Sequence, residues 1–459
     1  MHIPSPHIFK RYDIRGIAGR ELTPDLAEAI GRAVGTELRR RGKTSVVVGR
    51  DGRLSGLEFT TRFSYGILST GLDVIHIGIC PTPLVYFAIV YLEAGGGVAV
   101  TASHNPPEYN GFKICSGLDA LYDDDIQALR RRVETEDFDQ GEGRETACPI
   151  IPDYIEYLAR HFGVFNSRPK VVVDAGNGTA GLVAPELLRR MKCRVVELYC
   201  HVDGRFPNHE ADPTVAANLT DLIRLVRQQN AALGVAFDGD GDRIGVVDAA
   251  GRIVHGDQLL LLYARDVLSR QPGATIISEV KASRVLYDEV ARLGGRPLMW
   301  KTGHSLIKAK MKETGAALAG EMSGHMFFAD RYFGFDDALY AAGRLLEITD
   351  RTGRDLADLM ADVPSTFNTP EIRLECPESL KEPLVRAVQE HYRATRPVID
   401  IDGARVDFDD GWGLVRASNT QPLLVLRFEA STPDALARIQ AEMTDTIMDL
   451  RARLAPTSP

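Results

Sequence analysis

Ser103 stands in Thr101-Ala102-Ser103-His104-Asn105-Pro106, directly after the apolar run Gly97-Val98-Ala99-Val100. Such a run reads as a buried strand, and in open α/β sheets ligands bind in the loops beyond the carboxyl ends of strands. A hydroxyl there is placed to act as a nucleophile. Asp238-Gly239-Asp240-Gly241-Asp242-Arg243 follows a second apolar run, Leu233 to Phe237, and sets three carboxylates at alternate positions beside an arginine. Carboxylates this close repel unless a cation sits among them, and a Gly-spaced turn lets their oxygens converge. Mg²⁺ suits an all-oxygen set, whereas Zn²⁺ would call for Cys or His. A calcium EF-hand is disfavoured, because its sixth and twelfth positions hold Arg243 and Ala249 where Gly and Glu are required. A hydroxyl together with a metal cage points to phosphoryl transfer.

Each segment has a plainer reading. Ser103 and His104 could form a hydrolase pair, but adjacent residues of an extended chain point to opposite sides. Neither Ser103 nor Ser323 lies in G-x-S-x-G. An ordinary turn serine is the competing interpretation, opposed by the rigid Asn105-Pro106-Pro107 and the following Asn110-Gly111-Phe112-Lys113. Arg416-Ala417-Ser418-Asn419-Thr420 offers a guanidinium fork, two hydroxyls and an amide, a set that suits a phosphate dianion and also an ordinary turn. Gly176-Asn177-Gly178-Thr179-Ala180-Gly181 spells a dinucleotide fingerprint, with Glu197 at the right distance for its acidic partner. Because it opens the second round of strands rather than the first, a tight strand-to-helix turn is the preferred reading.

These loops need a scaffold, and at 459 residues the chain exceeds a single core, since domains run to roughly 100–200 residues. Thr23 and Pro24 start a helix over about 24–41. Val46 to Val48, Asp73 to Ile79 and Gly97 to Val100 read as strands, with helices near 56–70 and 82–93. The order repeats with strands at Lys170 to Val173, Arg194 to Leu198 and Leu233 to Phe237. A hairpin follows over Ile244 to Val254. A third round covers Ala274 to Val280, Arg296 to Trp300 and Ala316 to Leu318, feeding Gly320-Glu321-Met322-Ser323-Gly324-His325.

From about Ser365, strands at Glu371 to Leu374, Val398 to Ile401, Leu414 to Ala417 and Leu424 to Phe428 alternate with helices near 378–394 and 432–453. The expected fold is α/β: three similar βαβαβ-type domains with mixed, largely parallel sheets and a C-terminal α+β domain, around one central cleft. The expected boundaries are 1–149, 150–254, 255–364 and 365–459, with an acidic, Gly-containing linker over 134–149.

A net charge of −9 argues against nucleic acid as a partner. No run is long enough for a membrane span, and the amino terminus carries prolines and charge where a signal peptide needs an apolar core. Six irregularly spaced cysteines read as reduced thiols, so a cytoplasmic location is expected.

Tyr12-Asp13-Ile14-Arg15-Gly16, the Ser103 loop, the Asp238 to Arg243 loop, Gly320 to His325 and Arg416 to Thr420 together resemble the motifs of the α-D-phosphohexomutases. They occur in the family's order over essentially the whole chain, which is most similar to the bacterial phosphomannomutase/phosphoglucomutase group. The resemblance implies reversible conversion of hexose 1-phosphate to hexose 6-phosphate through phospho-Ser103 and a hexose 1,6-bisphosphate, with mannose and glucose both candidate sugars. It implies Mg²⁺ held by phospho-Ser103, Asp238, Asp240 and Asp242, charge neutralisation by Arg243, and proton handling by Lys113, His304 or His104. Substrate contacts are carried to Tyr12, Arg15, Lys281, Glu321, Ser323, His325, Arg416, Ser418, Asn419 and Thr420. Glucose 1,6-bisphosphate is the implied activator, and a monomer the implied state.

Ser278-Glu279-Val280-Lys281 departs from the family's aspartate-containing form. Met322 stands where phosphoglucosamine mutases tend to carry Gln, favouring hexose phosphates over amino-sugar phosphates. The alternatives are a phosphoglucosamine mutase, a metal-dependent phosphatase using Ser103, and a noncatalytic sugar-phosphate binder.

Overall fold

The computed structural model describes residues 5–418 and 422–454. One strand arrangement recurs in its first three units. In the first, Gly96–Val100 and Asp73–Ile79 flank Ser45–Arg50 in parallel. In the second, Leu233–Phe237 and Arg194–Leu198 flank Lys170–Asp174. In the third, Leu318–Gly320 and Arg296–Trp300 flank Thr275–Glu279. Each unit then turns back through an antiparallel strand beside its last parallel one: Tyr109–Ser116, Ile244–Asp248 and Met326–Phe328 respectively. Each polar loop is therefore the connection of the same hairpin, and the repeat delivers three such loops from equivalent places.

The inner strands are apolar on both faces because helices cover both sides, and Val46, Val47, Val48 and Val171 to Val173 are fully buried. Helix Pro24–Arg40 begins where Thr23 Oγ1 accepts from Leu26 N at 3.2 Å. Helix Thr82–Tyr91 is apolar all round and lies between the first and second units, its Phe87 ring edge-on to Tyr154 at 5.2 Å. A single hydrophobic core containing Val47, Val173 and Ile276 runs through all three units.

The fourth unit has its own core around Leu384, Val388, Ile439 and Met443. Its antiparallel strands run in the order Phe367–Asn368, Leu423–Ala430, Gly411–Ala417, Ala404–Phe408, Val398–Ile399, with Ile372–Glu375 also paired to Leu423–Ala430. Helices Glu378–Arg393 and Pro433–Leu454 pack against them. It docks on the third unit through Arg405, whose Nη1 donates to Val280 O at 2.6 Å and Ala282 O at 2.8 Å while the guanidinium lies over Trp412.

The architecture of three α/β units and an α+β unit matches the expectation. The stretch 134–149 is not a plain linker: helix Asp124–Thr135 enters it, and Glu145–Ala147 adds a parallel edge strand beside Asp73–Ile79. Backbone pairing of an exposed edge leaves no apolar pattern to read. The last parallel strand of the third unit is Leu318–Gly320, two residues later than Ala316. No helix among the described residues is long and apolar enough to cross a membrane.

Candidate active site

Ser103 adopts φ +52°, in the left-handed region. Its N–H donates to Thr101 Oγ1 at 2.8 Å, and Thr101 in turn donates to Asp51 Oδ2 at 2.7 Å. The tight turn brings Ser103 Oγ within 3.1 Å of His104 Nδ1, correcting the expectation that adjacent side chains would diverge. That expectation assumed an extended chain, and the backbone at Ser103 is not extended. Burial, reinforced by Arg243 and Arg15, holds the His104 ring well below the usual histidine range. Arg15 reaches the loop as well, donating to Asn105 Oδ1 and Asp13 Oδ2 at 2.5 Å each.

Across the interface between units, Ser103 Oγ donates to Asp238 Oδ2 at 2.6 Å. Asp238, Asp240 and Asp242 are all fully buried and offer oxygens close enough to share one ion. Asp238 Oδ1 accepts from the backbone N–H groups of Asp242 and Arg243, both at 3.1 Å, which closes the turn. Thr82, at the start of the all-apolar helix, donates its hydroxyl to Asp240 Oδ2 at 2.6 Å and its N–H to Asp240 O at 2.8 Å. Lys113 Nζ donates to Asp240 Oδ2 at 2.8 Å and to Asp242 Oδ2. Burial opposes its charge, but Asp240, Asp242 and Asp238 outweigh that and raise its pKa, so it stands here as an ammonium rather than a free base.

Asp240 Oδ1 and Asp242 Oδ1 remain buried without a donor, and burial together with the flanking aspartates pushes Asp238 well above the usual carboxylate range. Orphaned carboxylate oxygens with no nitrogen or sulfur ligand among Asp238, Asp240 and Asp242 fit a hard divalent cation such as Mg²⁺.

The Gly176 to Gly181 turn backs this loop and shows no sign of a nucleotide site. A Cβ on Gly178 would lie 2.7 Å from Gly239 O, while Thr179 N donates to that same carbonyl at 3.1 Å. Glu197, the imagined ribose ligand, instead pairs with Arg189 on the exposed surface.

The third loop contributes Glu321, His325 and Ser323. Gly303 N donates to Glu321 Oε1 at 2.6 Å, and burial raises that carboxyl above its ordinary range. Ser323 is half-buried at the turn. His325 Nε2 accepts from Arg243 Nε at 3.0 Å. His304 stacks on His325 with centroids 5.4 Å apart, and Tyr12 meets His304 edge-on at 5.3 Å. Burial and the Lys308 ammonium pull His304 well below the usual histidine range. Glu279, the departure noted beside Lys281, is fully buried, accepting from Lys281 N at 3.0 Å, Thr302 Oγ1 at 2.8 Å and Met322 N at 3.2 Å. The longer carboxylate therefore ties the Lys281 loop to the Glu321 loop.

From the fourth unit, Arg416 Nε donates to Asp402 Oδ2 at 3.1 Å, and that same oxygen accepts from Thr302 N at 3.0 Å. Lys281 Nζ donates to Glu371 Oε1 at 3.2 Å across the same boundary. Ser418 is buried, and its carbonyl accepts from Lys381 Nζ at 2.7 Å. Asn419 and Thr420 lie outside the described residues. Sequence reasoning missed Arg53, Thr82 and Asp402, each of which supports the site across a long sequence separation, and Asp336, which lies beside His325.

Four domains that meet around a buried serine hydroxyl and a carboxylate cage fit an enzyme of phosphoryl transfer. Family models of the phosphoglucomutase/phosphomannomutase α/β/α domains I, II and III match residues 6–140, 152–251 and 255–367, and that of the C-terminal domain matches 371–446. The chain is 51% identical to the phosphomannomutase/phosphoglucomutase of Pseudomonas aeruginosa, over 94% of each chain. It is 45% identical to the phosphoglucomutase of Neisseria gonorrhoeae, over 94% of this chain and 95% of that one. The crystal structure of a phosphoglucomutase/phosphomannomutase family protein from Burkholderia thailandensis superposes with a TM-score of 0.92 at 44% identity, covering 99% of both chains. The chain belongs to the phosphoglucomutase/phosphomannomutase family.

Proposed function

We propose that this protein interconverts the 1- and 6-phosphates of mannose, glucose or both through phospho-Ser103 and a hexose 1,6-bisphosphate. The observation that carries the reading is the 2.6 Å hydrogen bond from Ser103 Oγ to Asp238, which makes nucleophile and carboxylate cage one site. The names of the 51% and 45% identical relatives support the sugars.

In the forward half-reaction the free hydroxyl of a hexose phosphate attacks the phosphoryl group on Ser103. The new O–P bond forms as the Oγ–P bond breaks; the sugar hydroxyl's proton leaves and Oγ regains one. His104, neutral and 3.1 Å from Oγ, is placed to exchange that proton, while His304 and Lys113 are the other candidates. Mg²⁺, held by Asp238, Asp240, Asp242 and a phosphoryl oxygen on Ser103, would supply charge stabilisation to the group in flight. Arg243 adds a fixed positive charge beside it.

The bisphosphate then turns round so that Ser103 takes the other phosphoryl group. Arg416, Ser418, Asn419 and Thr420 grip the idle phosphate in both orientations, with Lys281 and Arg15 adding charge. Glu321 and Ser323 hold sugar hydroxyls, O3 and O4 by the symmetry of the exchange, beside His325 and Tyr12. The enzyme is read as a cytoplasmic monomer, primed by glucose 1,6-bisphosphate. Met322 supports hexose over amino-sugar substrates.

The test is conversion of glucose 1-phosphate and mannose 1-phosphate to the 6-phosphates with Mg²⁺, with and without glucose 1,6-bisphosphate, while free phosphate is followed. Isomerisation without phosphate release, lost in Ser103→Ala, is expected. Phosphate release without isomerisation would install the phosphatase reading instead.

A further inference from the structure

Asp336 is fully buried ahead of helix Ala338–Thr352, and the reaction proposed above assigns it no part. Its Oδ1 accepts from Lys308 Nζ at 2.9 Å. Its Oδ2 lies 3.1 Å from His325 Nδ1 and 3.7 Å from His304 Nδ1, close enough for charge attraction though not aligned for a hydrogen bond. On the opposite edge of the His325 ring, Arg243 Nε points at Nε2 from 3.0 Å. A guanidinium has donors only, so Nε2 must be the acceptor and the proton of the neutral ring belongs on Nδ1. That nitrogen lies beside the Asp336 carboxylate, while Asp242 Oδ1, at 3.6 Å, is beyond hydrogen-bond reach.

We propose that Asp336 is a positioning residue for Arg243, acting through His325: it holds the imidazole as the Nδ1–H tautomer, whose Nε2 lone pair anchors Arg243 Nε. The anchored Nε fixes the guanidinium plane and leaves the Nη groups for phosphoryl oxygens. A carboxylate that sets a tautomer in this way contributes to rate without touching substrate. Lys308 makes the arrangement directional, because it claims Oδ1 and leaves only Oδ2 for the rings.

Asp336→Asn is then an informative change. Lys308 needs an oxygen, so the new amide turns its NH₂ toward His325 Nδ1. Nδ1 must accept, the ring proton moves to Nε2, and Nε2–H confronts the Arg243 donor.

This inference rests on the phosphoryl-transfer reading of the site, and its tests separate the two. Histidine side-chain ¹⁵N spectra of the Mg²⁺-loaded full-length protein, with His325 assigned by its loss in His325→Ala, read the tautomer without turnover. The Nδ1–H form is expected in the wild type and the Nε2–H form in Asp336→Asn. In the mutase assay Asp336→Asn should lose about 10²–10³-fold in kcat, the scale of losing one preorganised electrostatic contact, with KM near that of the wild type.

In a His325→Ala background the same change should add little. A wild-type Nε2–H tautomer, a tautomer unmoved by Asp336→Asn, or an equal kcat loss in both backgrounds would overturn the proposal. A wild type that binds Mg²⁺ yet isomerises nothing would overturn the mutase reading while leaving the tautomer result standing.

Discussion

Arg53 donates from Nη2 to the backbone carbonyl of Ser103 at 2.8 Å, directly behind the proposed nucleophile. The same guanidinium takes Asn105 O at 2.6 Å, Pro106 O at 2.6 Å and Tyr109 O at 2.8 Å. Asp51 Oδ2 accepts from its Nε at 3.0 Å, and Phe206 of the second unit lies beneath it at 5.3 Å. One buried cation thus gathers the carbonyls of a turn whose central residue has a positive φ.

Replacing Arg53 by Met should therefore act twice. It leaves Asp51 buried without its cation, a loss of about 3–5 kcal/mol measurable by urea unfolding. It also frees the Ser103 loop, so kcat should fall more than KM rises. Arg53→Lys should not restore activity, because a single ammonium cannot span carbonyls that a planar fork reaches together. Wild-type stability with wild-type kcat in Arg53→Met would refute the clamp.

Much of the site was legible because Ser103, the Asp238 to Arg243 loop and Glu321 each follow an apolar strand as a short polar run, and a period switch of that kind survives in one dimension. Arg53 was not legible: Arg50-Asp51-Gly52-Arg53 reads as a turn, and its carbonyl partners lie 50 to 56 residues away. Lys113 was noticed for its motif, but its strand was missed, since Asn110 and Gly111 dilute the β pattern that pairing with Gly96–Val100 and Ile14–Ile17 supplies. The contact between Ser103 and His104 failed for a local reason, a left-handed backbone that alternation rules do not anticipate. Asp402 acts across units and Asp336 within the third, on Lys308, His304 and His325, and no local signal marks either.

The orphaned Asp240 Oδ1 and Asp242 Oδ1 lead to a metal prediction. Mg²⁺ should raise the thermal midpoint, by about 2.7 kcal/mol of stability at a hundredfold excess over its Kd. EDTA should reverse the shift and abolish turnover. Lys113 is the cation now paired with these carboxylates, so Lys113→Met should destabilise the metal-free protein and enlarge the Mg²⁺-dependent increment. An unchanged melting curve across a Mg²⁺ titration would exclude the cage as a metal site.

Asp337, next to the proposed positioning carboxylate, yields a pH prediction of definite sign. Its side chain accepts from Tyr154 Oη and Tyr332 Oη, both at 2.8 Å, and from Tyr340 N at 2.9 Å, joining the second unit to the helix of the third. Burial nevertheless raises its pKa to about 6. A carboxyl with a folded pKa above its unfolded one binds more protons when folded. Its contribution to stability is therefore fully present below the unfolded value near 4 and is lost as pH rises to about 6. Asp337→Asn keeps an oxygen acceptor but cannot ionise. Urea unfolding of both proteins across this window should show wild-type stability falling relative to the variant as pH increases, then running parallel above it. A difference that is flat would mean that Asp337 keeps its unfolded pKa, and one that grows in favour of the wild type with rising pH would mean that its tyrosine hydrogen bonds outweigh burial.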